Sequence, residues 1–318
     1  MKHIRISIPK CVSGHTDTNE QRSERGYSMS TPTPPWGNQI PEGAFITTEP
    51  TYPTGKYQHL FKKDEAFGLK YYYFDPTENG YPEKGDYPLL IFLHGGSNAL
   101  VGDLCINYTG AEMYASEKYQ KDLGGAYILI PVANEYRKED GGYAGSWDES
   151  YIDPVMKLID EFIKNKTRGV GVRFLLGNSA GARFTLYLGA HDPKAFDVLI
   201  PVGTSDIPDD SVIDQWDECG VTLFFADGLR DEISDHEVIE SRRARLEKMK
   251  NKFIFTPEWV YNGDKGIASI NFGFEMGQHC LMNGIQANLL FDDGTPMEPS
   301  LPNGMTGWMA SEIERRKK

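Results

Sequence analysis

Cysteine is scarce in this sequence, which has four among 318 residues, at Cys11, Cys105, Cys219 and Cys280. They are widely spaced and form neither the Cys-x-x-Cys pairs of a zinc site nor the density of a disulfide-stabilised scaffold. We therefore expect mostly reduced thiols and no metal site.

Positive charge is also in short supply. The chain has 33 Lys and Arg residues against 46 Asp and Glu residues, which gives a formal net charge of −13. A protein without a basic face cannot neutralise phosphates, so nucleic acid and anionic lipid are not expected partners. A neutral or cationic small molecule fits this charge better.

Long apolar runs are missing as well. No run approaches the ~20 residues that a membrane helix needs. The N-terminal stretch MKHIRISIPKCVSGH contains basic residues but no apolar core of a secretory signal. We expect no membrane association and a cytoplasmic location, or a secreted one if a leader has been removed. The sequence does not decide between a monomer and a homo-oligomer.

Composition divides the chain near residue 60. Residues 11–57 are rich in Ser, Thr, Pro and Gly, which pack little core, so residues 1–60 are predicted to be an irregular N-terminal extension. Residues 61–318 are predicted to form the catalytic domain, in which short apolar runs alternate with helical segments. Strands are predicted within residues 67–76, 87–96, 126–134, 171–179, 196–206, 221–228 and 252–260.

This alternation is typical of an α/β fold, a mostly parallel twisted sheet with helices on both faces. One helix is predicted to start with Asp153 as its cap and Pro154 in its first turn. Others are predicted over residues 181–191 and about 235–251. No internal repeat or linker suggests a second compact domain.

The stretch RFLLGNSAGARF places Ser179 between two glycines, after an apolar run and before a helical segment. A serine nucleophile must stand on a tight strand-to-helix turn, where the crowded backbone requires small neighbours such as Gly177 and Gly181. The pattern therefore predicts Ser179 as a nucleophile. Because the first amides of the following helix point at this turn, Ala180 is the predicted first oxyanion donor.

A second oxyanion donor is expected from LHGGS, residues 93–97, a glycine-containing loop that leaves an earlier strand. Gly96 is the preferred donor and Ser97 is the alternative. His94 is interpreted as a residue that braces this loop.

The segments IFLHGG, GNSAG and ARFTLYLGAHDPKAFDVLIPVG together resemble the α/β-hydrolase superfamily, in particular its polyhydroxybutyrate-depolymerase and feruloyl or acetylxylan esterase branch. Members of that branch commonly have Gly-x-Ser-Ala-Gly, then a helix, then His-x-Pro-x-x-Phe, which corresponds here to residues 191–196. The resemblance covers about residues 67–282. It implies a serine hydrolase with the α/β-hydrolase fold that acts on esters and needs no metal or organic cofactor.

The resemblance also implies an order for the other catalytic groups, because in this superfamily the acid and the histidine follow the nucleophile along the chain. That order excludes His94 as the base. His191 ends the nucleophile helix, and His236 comes too early to lie beyond the final strand. His279 follows that strand and is the predicted base.

The predicted acid lies in VTLFFADGLRDEISD, where a strand ends and carboxylates cluster at the edge of the sheet that carries sites in α/β folds. Asp231 matches the Gly-x-x-Asp pattern of the resembling enzymes and is preferred. Asp227, directly at the strand end, is the alternative acid. Asp235 is predicted to cap a helix.

The substrate side is less constrained by the sequence. The loop of residues 135–151 carries Tyr136, Tyr143, Trp147 and Tyr151, whose rings could stack on a sugar or an aromatic acyl group or could simply pack the loop down. Tyr143, Trp147 and Trp259 are the candidate substrate-binding residues, although Trp259 could equally belong to the core.

These features predict a serine ester hydrolase for feruloyl, cinnamoyl or acetyl esters derived from plant polysaccharides. A peptidase or a thioesterase would use the same three side chains, because the triad does not select the leaving group. A non-catalytic carbohydrate-binding or scaffold protein on the same fold is the alternative from a different class.

Overall fold

The computed structural model describes residues 44–46, 55–108, 110–229, 231, 233–257, 259–261, 279–290, 294–296 and 298–317. The strands are β1 (Ala44–Ile46), β2 (Lys62–Ala66), β3 (Leu69–Phe74), β4 (Tyr87–Leu93), β5 (Tyr127–Val132), β6 (Tyr136–Arg137), β7 (Tyr143–Ala144), β8 (Val170–Asn178), β9 (Val198–Val202), β10 (Thr222–Ala226), β11 (Lys252–Phe255) and β12 (Trp259–Tyr261). The α-helices are α1 (Cys105–Tyr108), α2 (Glu117–Asp122), α3 (Ile152–Lys166), α4 (Ala180–His191), α5 (Asp210–Cys219), α6 (His236–Leu246), α7 (Met282–Gln286) and α8 (Gly304–Arg316). Short 3₁₀ helices cover Gln58–Leu60, Pro76–Asn79, Asn98–Leu104, Ala111–Ala115 and Glu149–Tyr151.

Eight strands form one sheet in the order β11-β10-β9-β8-β4-β5-β3-β2. The six strands from β11 to β5 in this order pair in parallel, and β3 runs antiparallel to both of its neighbours, β5 and β2. Strands β4, β5, β9 and β10 are buried at every residue, as expected for a sheet covered on both faces. The predicted mostly parallel α/β sheet is confirmed.

Helices pack on both faces of this sheet and enclose two apolar clusters. One cluster joins α2, α7 and α8 to the sheet and includes Tyr119 and Met309. The other joins α3, α4, α5 and α6 and includes Phe162 and Trp216. None of the helices in the described part of the chain combines the length and apolar character needed to cross a bilayer.

The segment 252–260, predicted as a single last strand, forms two separate strands. Strand β11 ends before Pro257, whose missing N–H cannot continue the ladder and whose carbonyl accepts a hydrogen bond from Leu229 N at 2.9 Å. Beyond it, β12 pairs in parallel with β1. A short part of the predicted irregular extension is therefore a strand.

Two helix starts test the capping residues that the sequence predicts. Asp235 caps α6, and its side chain accepts from Val238 N at 3.1 Å, as predicted. For α3 the prediction is wrong by two residues, because the helix begins at Ile152 and not at Pro154. The helix continues from a 3₁₀ turn capped by Asp148, which accepts from Ser150 N at 2.9 Å, and Asp153 lies inside its first turn.

Two glycines allow the end of β8 and the start of α4 to approach β4 closely. Leu93, the last residue of β4, pairs with Gly177 in β8. A Cβ on Gly181 would collide with the carbonyl oxygens of Leu93 and His94, and one on Gly177 would collide with the Gly181 carbonyl. The need for small residues on both sides of Ser179 is confirmed by this packing.

The last helix is held against the sheet by a buried carboxylate. Glu312 accepts hydrogen bonds from Thr222 Oγ1 at 2.7 Å and from the guanidinium groups of Arg315 and Arg316. Burial would raise the pKa of Glu312, but these hydrogen bonds and charges outweigh it and lower the pKa. Arg316 also donates to the Asp197 carbonyl at 2.6 Å, which ties α8 to the edge of β9.

The Gly181→Ala variant is expected to lose about 3 kcal/mol or more of unfolding free energy, because backbone atoms rather than a flexible side chain occupy the site of the new Cβ. Denaturant unfolding followed by tryptophan fluorescence measures the loss. Gly142→Ala is the matched control, since its nearest neighbour is the flexible Asp140 carboxylate at 3.1 Å. Equal stabilities of the two variants would contradict the close approach.

The Glu312→Ala variant is expected to lose about 2–3 kcal/mol at pH 7, because the buried guanidinium of Arg316 loses its shorter carboxylate contact and keeps only that with Asp197 at 3.4 Å. Since the folded-state pKa of Glu312 is lowered, its stabilisation is full above the unfolded-state value of ~4.3 and disappears as the pH falls below it. Urea unfolding at pH 7 and pH 3.5 tests both statements. Glu314→Ala, which removes an exposed pair with Lys317, should change stability by less than ~0.5 kcal/mol.

Candidate active site

Ser179 stands on the turn between β8 and α4 with φ 56° and ψ −117°. A residue other than glycine keeps such a conformation only when the surrounding structure enforces it. Its N–H donates to the Val202 carbonyl at 2.9 Å, and its own carbonyl accepts from Arg183 N at 3.0 Å. This is the sharp strand-to-helix turn on which serine nucleophiles are exposed.

Two backbone amides near this turn can face a developing oxyanion. The N–H of Ala180 begins α4, and that of Gly96 follows β4; neither donates to a described residue in the turn and loop hydrogen bonds. The alternative donor, Ser97, is engaged elsewhere, because its N–H donates to Glu135 Oε1 at 2.9 Å. Ala99 N donates to Glu135 Oε2 at 2.9 Å, so this carboxylate fixes the loop beyond Gly96.

His94 braces the glycine loop, as predicted. Its Nδ1–H donates to the Gly95 carbonyl at 2.7 Å, while Nε2 accepts from Ala133 N at 3.0 Å. Burial is the main influence on this imidazole and lowers its pKa, which keeps it neutral. The ring is fully enclosed and belongs to the support of the loop rather than to its reactive surface.

His279 and Asp231 form a buried hydrogen-bonded pair, with His279 Nδ1 2.7 Å from Asp231 Oδ2. Asp231 also accepts from Ile233 N at 2.9 Å and lies 2.9 Å from Ser234 Oγ. Burial would raise the pKa of Asp231, but the hydrogen bond and charge of His279 and the other donors lower it. The ionised carboxylate therefore holds the proton on Nδ1 and leaves Nε2 as the acceptor.

The pair lies at the same strand end as Ser179. A Cβ placed on Gly203 would be 3.2 Å from His279 Cε1, so the imidazole packs directly over this glycine. Gly203 follows Val202, whose carbonyl accepts the Ser179 amide. The end of β9 is thus in contact with the backbone of Ser179 through Val202 and with the ring of His279 through Gly203, although the two residues are 100 positions apart in the chain.

The alternative acid, Asp227, does not contact His279 in the described hydrogen bonds. Its Oδ1 lies 2.7 Å from Ser234 Oγ, its Oδ2 is buried without a hydrogen-bond partner among the described residues, and His236 Nδ1 lies 3.7 Å away. Burial is the main cause that raises the pKa of Asp227 to about 8.

Within the described residues, no group of His, Cys, Asp and Glu side chains is arranged to hold a metal ion.

Tyr143 borders the candidate oxyanion loop. It lies in the small β6–β7 hairpin, its side chain is 43% exposed, and a Cβ on Gly96 would collide with its hydroxyl. The ring therefore forms part of the surface beside Gly96, and its role in binding substrate stays a prediction.

The prediction that Trp147 binds substrate is wrong, because Trp147 is a buried core residue and presents no surface to a substrate. The side chain is 1% exposed, stacks on Phe184 with 5.2 Å between ring centroids, and donates from Nε1 to the His94 carbonyl at 2.9 Å. Its role is to support the loop that contains His94. Trp259 lies in β12, and its side chain is outside the described part of the structure.

Two residues at this site were not identified from the sequence. Glu135 lies just beyond β5, at the carboxyl edge of the sheet, and that position was a usable signal. Ser234 connects Asp227 and Asp231, but a serine three residues after an aspartate carries no distinctive pattern. Only the fold reveals that it lies between two carboxyl groups.

No protein-family model matches the sequence, and no curated protein matches it. Among solved structures, a thermostable esterase is similar with a TM-score of 0.52 and 16% identity over 71% of this chain and 60% of that one. The chain thus spans less than two thirds of that esterase. A feruloyl esterase module from Clostridium thermocellum, solved with sinapinate, gives a TM-score of 0.48 and 13% identity over 74% of this chain and 94% of that one. Est1E from Butyrivibrio proteoclasticus gives 0.41 and 15% over 71% of this chain and 98% of that one. The sheet order, the strand-to-helix turn and the similarity to the thermostable esterase establish that this chain has the α/β-hydrolase fold.

Proposed function

We propose that this protein is a serine carboxylic ester hydrolase in which Ser179 is the nucleophile, His279 the general base and Asp231 the acid. The carrying observation is the buried 2.7 Å hydrogen bond from His279 Nδ1 to Asp231, formed at the strand end where Ser179 occupies its strained turn. The three side chains come from separate parts of the chain. Such convergence is the arrangement that nucleophilic catalysis by serine requires.

The role of each residue follows from the proton transfers that ester hydrolysis requires. Ser179 attacks the ester carbonyl as His279 Nε2 accepts its proton, while Asp231 stabilises the imidazolium that forms. The amides of Ala180 and Gly96 bind the oxyanion of the tetrahedral intermediate, where one donor contributes ~3–4 kcal/mol. His279 then protonates the departing alcohol and activates water against the acyl-enzyme.

For the substrate we favour a feruloyl or cinnamoyl ester of plant polysaccharide origin over an acetyl ester. The exposed Tyr143 ring beside Gly96 can stack on an aromatic acyl group. Leu229 and Ile233, in the loop that carries Asp231, are 42% and 46% exposed and add apolar surface near the site. An acetyl group would leave these surfaces unused.

The Ser179→Ala variant is expected to lose hydrolysis of hydroxycinnamate and short-chain esters by more than ~10³-fold, because the nucleophile is removed while the fold is kept. Initial rates and a thermal unfolding scan measure the two properties together. A fluorophosphonate probe should label the wild type at Ser179 and leave the variant unlabelled.

Ser241→Ala provides the matched control, since this serine lies on α6 and donates to the Val238 carbonyl. It should keep full activity and full labelling. Unchanged turnover in Ser179→Ala would overturn the assignment of the nucleophile. Faster turnover of thioesters or peptides than of oxygen esters by the wild type would keep the triad and reject the ester substrate.

The Tyr143→Ala variant is expected to raise KM for a methyl hydroxycinnamate ~10-fold and to leave KM for an acetyl ester within ~2-fold, because only the aromatic acyl group loses its stacking surface. Steady-state kinetics on both esters test this difference. Tyr136→Ala, on the other strand of the same hairpin, is the control and should change neither value. Equal increases for the two esters would contradict an aromatic acyl site at Tyr143.

A further inference from the structure

A second buried carboxyl group lies behind the proposed acid. Asp227 Oδ1 is 2.7 Å from Ser234 Oγ, and the same oxygen of Ser234 is 2.9 Å from Asp231 Oδ2. Both carboxyl groups are 1% exposed. A serine hydroxyl has a single proton, so Ser234 can donate to only one of these acceptors at a time.

The donors are distributed unequally between the two carboxyl groups. Asp231 has His279 Nδ1–H and Ile233 N–H in addition to Ser234. Asp227 has only Ser234 among the described residues, and its second oxygen is buried without a hydrogen-bond partner. Two ionised carboxylates around one hydroxyl would leave an oxygen of Asp227 facing a lone pair of Ser234 in a site shielded from water, which is costly.

We propose that Asp227 is a positioning residue of the active site: its neutral carboxyl group donates to Ser234, and Ser234 in turn donates to Asp231, which stays aligned on His279. This inference rests on the proposed function for its catalytic consequence. The hydrogen-bond chain then runs in one direction, from Asp227 through Ser234 to Asp231, and each proton has one acceptor.

The electrostatic environment agrees with this direction. Burial raises the pKa of Asp227 to about 8, whereas the donors around Asp231 lower its pKa. Among the described residues, the charged groups that face Asp227 are Asp231 and His236. Arg230 and Glu232 lie outside the described residues.

His236 is the other group that could hold the proton assigned to Asp227. Its Nε2 lies 2.6 Å from the Asp231 carbonyl oxygen and must donate to it, so a neutral ring presents an unprotonated Nδ1 to Asp227. A protonated ring would instead form an ion pair with an ionised Asp227. The 3.7 Å separation is longer than a hydrogen bond, which favours the neutral pair.

The arrangement predicts a loss of activity on the alkaline side. Below about pH 8 the neutral Asp227 directs the Ser234 proton to Asp231. Above that pH the ionised Asp227 competes for the same proton, and Asp231 loses a donor. We expect kcat of the wild type to fall as the pH rises through this range, with little change in KM.

Substitutions at residue 227 separate a neutral donor from a charge. In Asp227→Asn the amide N–H₂ can donate to Ser234 and cannot ionise, so kcat should stay within ~3-fold of the wild type and lose its alkaline decline. In Asp227→Leu the donor is absent, and kcat should fall ~10- to 100-fold at unchanged KM. Asp231→Asn should fall ~10⁴-fold, as expected for the acid of a triad. An Asp227→Asn variant as inactive as Asp227→Leu would overturn the proposal.

A measurement that needs no turnover keeps the inference independent of the proposed function. Carbon-13 NMR of the aspartate carboxyl groups, titrated from pH 5 to pH 9.5, should show a protonated Asp227 at pH 6 that titrates near pH 8. The resonance is assigned by its absence in Asp227→Asn. A carboxylate shift for Asp227 at pH 6 would overturn the inference, even in an active enzyme. Absent hydrolysis and absent probe labelling in the wild type would refute the function alone.

Discussion

The close approach of Gly181 to the carbonyl groups of Leu93 and His94 is the constraint on which the rest of the site depends. This approach requires a glycine in the first turn of α4, and it fixes the distance between that helix and β4. Because Gly177 pairs with Leu93, the same contact places the turn that carries Ser179 next to the start of the glycine loop. The positions of Ser179 and of the Gly96 amide are therefore consequences of one backbone packing.

Buried polar groups then make this backbone arrangement rigid. His94 forms hydrogen bonds through both ring nitrogens, to the Gly95 carbonyl and to the Ala133 amide. Trp147 donates a hydrogen bond to the His94 carbonyl. Glu135 holds the amides of Ser97 and Ala99. Oxyanion stabilisation depends on donors that need no reorganisation during the reaction. The loop fits this requirement because the chain neighbours of Gly96, which are Gly95 and Ser97, are held by His94 and by Glu135.

The sequence was most informative where the physical requirement is local. Apolar runs predicted the parallel strands, and the spacing of Gly177, Ser179 and Gly181 predicted the strand-to-helix turn, because both signals lie within a few residues. Trp147 was misjudged because an aromatic residue in a loop has the same local pattern whether it faces solvent or the core. The division of residues 252–260 also escaped prediction, since β12 pairs with a strand more than 200 residues away. Ser234 could not be assigned a role because only the fold places it between two carboxyl groups, and for Glu135 the sequence indicates the position beyond β5 but not the partners Ser97 and Ala99.

The two halves of the site are held in place by different kinds of interaction. Ser179 and the amides of Ala180 and Gly96 are positioned by backbone contacts, which tolerate almost no change in residue size. His279 and Asp231 arrive on segments after β10 and are positioned by hydrogen bonds among buried ionisable groups. Such groups cost free energy to bury unless each donor and acceptor is matched. A second carboxyl group behind Asp231 satisfies this condition only if it keeps its proton, so the proposed neutral state of Asp227 is a structural requirement of the His279–Asp231 pair as much as a property of Asp227 itself.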